Sequence, residues 1–62
     1  MLLYEAQRQS NCGVACQETM RNIYYIASDG TITQWNKKDK KSIYLKDVTL
    51  SFLNENKWES VN

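Results

Sequence analysis

Cys12 and Cys16, which stand four positions apart, have the side chains best suited to covalent chemistry in this chain of 62 residues. A catalytic cysteine needs a neighbouring base that removes the thiol proton, and the sequence contains no histidine. Two thiols cannot complete a tetrahedral metal site by themselves, and a bridge between them would close a very short loop. We therefore predict that both thiols are reduced, pack as apolar groups and are dispensable for function.

The acidic residues do not form the pairs that acid–base catalysis requires. The seven Asp and Glu residues are scattered through predicted termini and loops. Neither of the two glycines, Gly13 and Gly30, belongs to a glycine-rich phosphate-binding loop. The sequence therefore predicts a protein that is not an enzyme and that has no metal site and no cofactor.

Aromatic residues offer a different chemistry, the binding of a flat ligand. Tyr24, Tyr25 and Trp35 could stack on a base, with each contact contributing roughly 1–3 kcal/mol, or they could form the core as cross-strand pairs. Arg21 and Asn22 begin the same strand, where they could hold a phosphate or ribose or lie in a solvated turn. The predicted ligand site consists of Arg21, Asn22, Tyr24, Tyr25, Trp35 and Asn36.

A cluster of lysines follows the aromatic segment: Lys37, Lys38, Lys40 and Lys41. The cluster could attract a phosphate or an acidic partner, but Asp39 in its middle favours a loop that only keeps the protein soluble. The formal net charge of the whole chain is +1. This balance argues against general nucleic-acid binding, which requires a strongly basic surface.

The elements that position these residues are centred on a β-hairpin. Asp29-Gly30, flanked by alternating β-branched and aromatic residues, predicts a two-residue type I′ turn. The resulting register has these opposing pairs: Ser28 and Thr31, Ile26 and Thr33, and Tyr24 and Trp35. Both faces of the hairpin are more apolar than is usual for a sheet with one face in water. We infer that one face forms the core and that a helix or another subunit covers the other.

The remaining segments predict an α+β fold, a small antiparallel sheet with a short N-terminal helix, in a single domain over residues 1–62. The first predicted elements are a helix that includes Leu2, Leu3 and Ala6 and a strand over residues 14–19. After the hairpin come a polar loop over 36–42 and a strand over 43–45. Thr49 then caps a turn with Leu50, Phe52 and Leu53, and a closing strand covers 58–61. Phe52 and Trp58 are expected in the core. Because a chain this short buries only about 60% of its unfolded surface, we expect a homo-oligomer.

The order of these elements resembles a family of small bacteriophage proteins, the second Thoeris anti-defence family. The similar segments are Tyr4-Glu5-Ala6, Ile23-Tyr24-Tyr25-Ile26, Asp29-Gly30-Thr31-Ile32 and residues 49–59, which end in Trp58-Glu59. Family members carry an Arg and a Trp before the Tyr-rich strand, whereas residues 16–21 here contain no Trp and end in Arg21. The resemblance implies a protein that sequesters a nucleotide-derived immune signal at a subunit interface and so blocks host defence.

Two further functions remain open from the sequence. The same surface could bind a host defence or regulatory protein as an inhibitor of the anti-CRISPR or anti-restriction type, or the chain could be a structural subunit of a virion or complex. No apolar run approaches the roughly 20 residues that span a bilayer, and MLLYEAQRQS lacks the features of a signal peptide. We expect a cytoplasmic protein, in the host cell if it is viral, that does not bind membranes.

Overall fold

The computed structural model describes residues 1–46 and 48–62, which form one helix and one five-stranded sheet. The elements are α1 (Leu3–Gln9), β1 (Val14–Glu18), β2 (Asn22–Ala27), β3 (Ile32–Asn36), β4 (Lys41–Leu45) and β5 (Glu59–Ser60). Neighbouring strands are antiparallel, and their order across the sheet is β4-β3-β2-β1-β5. The predicted α+β class, with a short N-terminal helix on an antiparallel sheet, is confirmed.

Helix α1 packs against β1 and β5 through small side chains. The side chains of Ala6 and Ala15 have no exposed surface, and Trp58, which is 6% exposed, completes the buried cluster. Two alanines at the contact let the helix approach the sheet closely. At its N-terminus a side-chain oxygen of Glu5 accepts a hydrogen bond from the Leu2 N–H at 3.0 Å, which satisfies a free backbone donor. The helix thus covers the β1–β5 side of one sheet face.

Residues 50–56, here called the tail loop, pack on the same face against β1 and β2. The side-chain amide of Gln17, which is 7% exposed, donates to the Asn54 carbonyl and accepts from the Asn54 N–H, each at 2.8 Å. The ring of Phe52 lies edge-on to the ring of Tyr24, with centroids 5.5 Å apart. Phe52 is nevertheless 63% exposed, so the prediction that it lies in the core is wrong. A short turn does form as predicted, since the Leu53 N–H donates to the Leu50 carbonyl at 3.0 Å.

The β2–β3 hairpin has a three-residue loop, and the predicted two-residue turn is wrong. The Ala27 N–H bonds the Thr31 carbonyl at 2.9 Å, and the Gly30 N–H bonds the Ala27 carbonyl at 3.0 Å. Gly30 has a φ of 92°, the left-handed conformation that follows a type I turn in a bulged loop. The extra loop residue shifts the predicted register by one position, so Tyr24 pairs with Gln34 rather than with Trp35. Such a shift moves one strand's side chains to the opposite face.

Strand β4 is longer and β5 shorter than the sequence predicts. The loop before β4 spans only residues 37–40, because the Asn36 side-chain oxygen accepts the Asp39 N–H at 2.8 Å and the Asn36 carbonyl accepts the Lys40 N–H at 2.8 Å. The predicted loop over 36–42 therefore ends two residues early, and β4 begins at Lys41. β5 retains two residues of the predicted closing strand, although the Val61 N–H still bonds the Val14 carbonyl at 3.0 Å.

Candidate functional site

The two faces of the sheet have different environments. Helix α1 and the tail loop pack on one face, and no described element packs on the other, which we call the open face. Its principal apolar side chains come from four strands: Val14, Cys16, Ile23, Tyr25, Trp35 and Tyr44. All except Tyr44 are partly buried, and Tyr44 is 76% exposed. The inference that one face of the hairpin forms the core is thereby confirmed, and the covering of the other face by a subunit stays a prediction.

Three aromatic rings of the open face lie around Thr33. Tyr25 on β2 and Tyr44 on β4 both pair with Thr33, and Trp35 follows two residues along β3 on the same face. Diagonal neighbours of this kind are about 7–8 Å apart, which is within reach of aromatic side chains. The open face therefore carries an aromatic area, formed by Tyr25, Trp35 and Tyr44, that could accept a planar base or the apolar side chains of a protein.

Positive charges lie at one end of this aromatic area. The Lys37 N–H donates to the Arg21 carbonyl at 3.1 Å. Arg21 and Lys37 are therefore the next pair on the open face after Ile23 and Trp35. A pocket of about 690 Å³ at this end is lined by Met20, Arg21, Asn36, Lys37 and Lys38. Lys37 forms an ion pair with Glu18, and among the described residues Arg21 and Lys38 have no such partner. The end of the open face can therefore attract an anion.

The structure divides the predicted site between the two faces. Tyr25 and Trp35 share the open face, and Arg21 lies at its end. Tyr24 lies on the covered face, is 6% exposed and contacts Phe52, so its ring belongs to the core and is not available for stacking. The register shift explains this difference, because the predicted pairing would have placed Tyr24 and Trp35 side by side.

Asn22 and Asn36 lie on the covered face, and their side chains form hydrogen bonds within the fold. The Asn22 amide nitrogen donates to the Tyr24 hydroxyl at 3.4 Å, and its side-chain oxygen is buried with no partner among the described residues. Asn36 stabilises the β3–β4 turn and also lines the pocket that contains Arg21 and Lys37. Sequence reasoning did not place Ile23, Lys37 and Tyr44 at the site. The sequence signal for Tyr44 is its alternation with Ser42. The predicted strand begins at residue 43 and so leaves Ser42 out, whereas β4 begins at Lys41.

Comparisons with protein-family models, with curated proteins and with solved structures find no match to this chain. Within residues 1–46 and 48–62, no group of three or more His, Cys, Asp or Glu side chains could hold a metal ion. The same part of the chain contains no helix with the length and apolar character needed to cross a membrane.

The two free thiols differ in their surroundings, and we expect them to differ in reactivity. Burial, together with the negative charges of Glu59 and Glu18, raises the pKa of the Cys16 thiol. Cys12 is exposed. Since the thiolate is the reactive form, iodoacetamide near pH 8 should modify Cys12 several-fold faster than Cys16. Peptide mass spectrometry at timed intervals measures both rates.

A matched variant tests the cause of this difference. Glu59→Gln removes one negative charge that faces Cys16, so the Cys16 rate should rise while the Cys12 rate stays unchanged. Equal rates for the two thiols in the unmodified protein would contradict the assigned environments. Replacing both cysteines, by Cys12→Ser and Cys16→Ala, should preserve the fold, as a dichroism spectrum can show.

Proposed function

We propose that this chain is a non-enzymatic binding protein of the phage type, which self-associates through its open face and sequesters a small nucleotide-derived signal at the interface. By removing the signal in the host cytoplasm, it would block a host defence response. The observation that carries the proposal is the aromatic open face with cationic side chains at its end. The resemblance to the second Thoeris anti-defence family supports the same function.

Self-association is supported by the apolar character of the open face and by its charges. A chain of 62 residues has little apolar surface to spare, yet Ile23, Tyr25 and Trp35 lie on a face that no described element covers. The face carries charges of both signs: Glu18 and Glu59 lie on its β1–β5 side, and Arg21, which has no ion-pair partner among the described residues, lies just before β2. A second copy related by a twofold axis would bury the apolar side chains of this face against their equivalents. A symmetric, self-complementary interface of this kind is the commonest in oligomers.

Nucleotide binding is supported by two kinds of contact that the open face combines. Tyr25 and Trp35 can stack on a base regardless of its identity. Arg21 and Lys38, which have no ion-pair partner among the described residues, can bind phosphate oxygens, and the Arg guanidinium can do so with two parallel hydrogen bonds. The sequence contains no histidine that could activate either thiol, which agrees with binding without cleavage.

Binding of a cyclic or ADP-ribose-type nucleotide should change the fluorescence of Trp35 and leave that of Trp58 unchanged. Trp35 lies on the open face, whereas Trp58 is 6% exposed in the core. Trp35→Phe should remove the fluorescence response while calorimetry still detects binding. Chromatography of the released ligand should recover the nucleotide intact.

Two arginine variants provide a matched pair for the same titration. Arg21→Ala should weaken binding by about 10- to 100-fold, because hydrogen bonds to charged groups contribute roughly 1.5–3 kcal/mol. Arg8→Ala, which replaces another exposed arginine, on α1, should not change the affinity. Absence of binding heat across a panel of such nucleotides would contradict the proposed function.

One observation favours inhibition of a host protein as a second candidate. The aromatic area extends beyond Trp35 to Tyr44, which is 76% exposed, so it is wider than a single base requires. Aromatic residues of this kind often provide most of the binding energy in protein interfaces. Tight capture of a host defence protein by the wild type, lost in Tyr44→Ser, together with no nucleotide binding, would favour this candidate.

A further inference from the structure

Strand β4 forms one edge of the sheet, with β3 as its neighbour on one side. In an antiparallel ladder, alternate residues direct their N–H and C=O groups to opposite sides. The bond from the Lys37 N–H to the Arg21 carbonyl shows that the odd-numbered residues of β3 face β2. The even-numbered residues of β3 therefore face β4, where their partners are Lys41, Ile43 and Leu45.

Ser42 and Tyr44 consequently direct their backbone groups away from the sheet. None of the hydrogen bonds of the described residues outside the strand ladders involves the backbone of Ser42 or Tyr44. Unpaired backbone groups on an edge strand are a template for pairing with another extended chain. Both sheet faces beside this edge are apolar and accessible, since Ile43 is 54% and Tyr44 76% exposed.

The charges along this edge indicate which kind of chain it fits. Residues 37–46 contain five of the eight Lys and Arg residues of the protein: Lys37, Lys38, Lys40, Lys41 and Lys46. Asp39 is the one carboxylate in this segment. A second copy of β4, paired symmetrically about Ile43, would place Lys40 of each strand opposite Lys46 of the other. Like charges directly opposite each other are destabilising in antiparallel pairs.

We propose that the β4 edge binds an extended acidic segment of another protein, which adds a sixth strand to the sheet through the outward backbone groups of Ser42 and Tyr44. The main-chain hydrogen bonds provide affinity, and acidic residues opposite the edge lysines provide selectivity. The apolar residues of the added strand extend the contacts of Ile43 on one face and Tyr44 on the other. This site differs from the nucleotide site, because its main-chain contacts come from Ser42 and Tyr44 at the sheet edge, whereas Tyr25, Trp35 and Arg21 lie on or beside β2 and β3.

The test uses the full chain and a synthetic peptide, acetyl-Glu-Asp-Val-Thr-Val-Thr-Val-Asp-Glu-amide, followed by nuclear magnetic resonance. Saturating peptide should slow the hydrogen exchange of the Ser42 and Tyr44 amides several-fold. The Ile43 amide already faces β3, so its exchange should change little. A peptide with Lys in place of each acidic residue should bind at least about tenfold more weakly, and high salt should reduce this difference.

Two protein variants separate backbone pairing from attraction between opposite charges. Tyr44→Pro removes an outward N–H while leaving the bonds to β3 in place, as proline permits at an edge, and it should abolish binding. Tyr44→Val keeps the N–H and should retain most of the affinity. Unchanged exchange of Ser42 and Tyr44 at saturation, or equal binding by the Tyr44→Pro variant, would overturn the proposal.

Discussion

Trp58→Ala should remove a large part of the stability of the folded chain at 25 °C. Replacing a buried Trp with Ala costs about 3–5 kcal/mol, and a domain of 62 residues has a total stability of roughly 3–9 kcal/mol. Trp58 packs with Ala6 and Ala15, whose small side chains cannot fill the space that it would leave. The backbone N–H of Trp58 also donates a hydrogen bond to the Met1 carbonyl at 2.9 Å, which holds the start of the chain beside β5.

Urea denaturation followed by circular dichroism measures this loss, at several protein concentrations because self-association adds to apparent stability. Tyr44→Ala is the matched control, since Tyr44 is an aromatic side chain with 76% of its surface exposed. Its free energy of unfolding should change by less than about 0.5 kcal/mol. A Trp58→Ala protein as stable as the wild type would show that the Ala6–Ala15–Trp58 cluster is not the centre of the core.

Tyr25→Lys should abolish self-association without unfolding the protein. Tyr25 lies on the central strand of the open face, so a lysine there would place a charge in the middle of the proposed interface. Removing a charged ammonium group from water at an apolar interface is costly, and we expect the dissociation constant of the oligomer to rise by about 100-fold or more. The fold should tolerate the change, because Glu18 and Glu59 lie on the same face around Cys16, the cross-strand partner of Tyr25.

Sedimentation equilibrium over a range of concentrations measures this change. Tyr4→Lys provides the control, since Tyr4 is a 58% exposed tyrosine on α1 and lies away from the open face. It should assemble as the wild type does. If the wild type were monomeric at high concentration, or if Tyr25→Lys assembled normally, the proposed interface would be wrong.

The same measurement distinguishes the candidate functions. A monomeric Tyr25→Lys protein that has also lost nucleotide binding would support a ligand site at the interface. A monomeric Tyr25→Lys protein that binds nucleotide with unchanged affinity would place the ligand site within one subunit, near Arg21. Both outcomes agree with the proposed interface. They differ only in where the ligand binds.

The strands and the short helix could be predicted because their signals are local. Alternating β-branched and aromatic residues around Asp29-Gly30 indicate two paired strands, and the spacing of Leu3 and Ala6 indicates a helix. The two apolar faces of the hairpin could also be predicted, because alternation is a property of the chain itself. These signals establish the α+β class but not the neighbours of each side chain.

The register and the surroundings of each aromatic residue depended on the tertiary structure. One additional loop residue, stabilised by the left-handed Gly30, separated Tyr24 from Trp35, and an Asp-Gly dipeptide is compatible with loops of either length. Tyr24 is covered because the tail loop packs against it through Phe52. Hydrogen bonds between the Gln17 amide and Asn54, which is 37 positions away, hold this loop on the sheet. Local sequence determined which segments became strands and which side chains shared a strand face. Long-range contacts decided which face was covered, because the free energy of burial depends on segments that are distant in the chain.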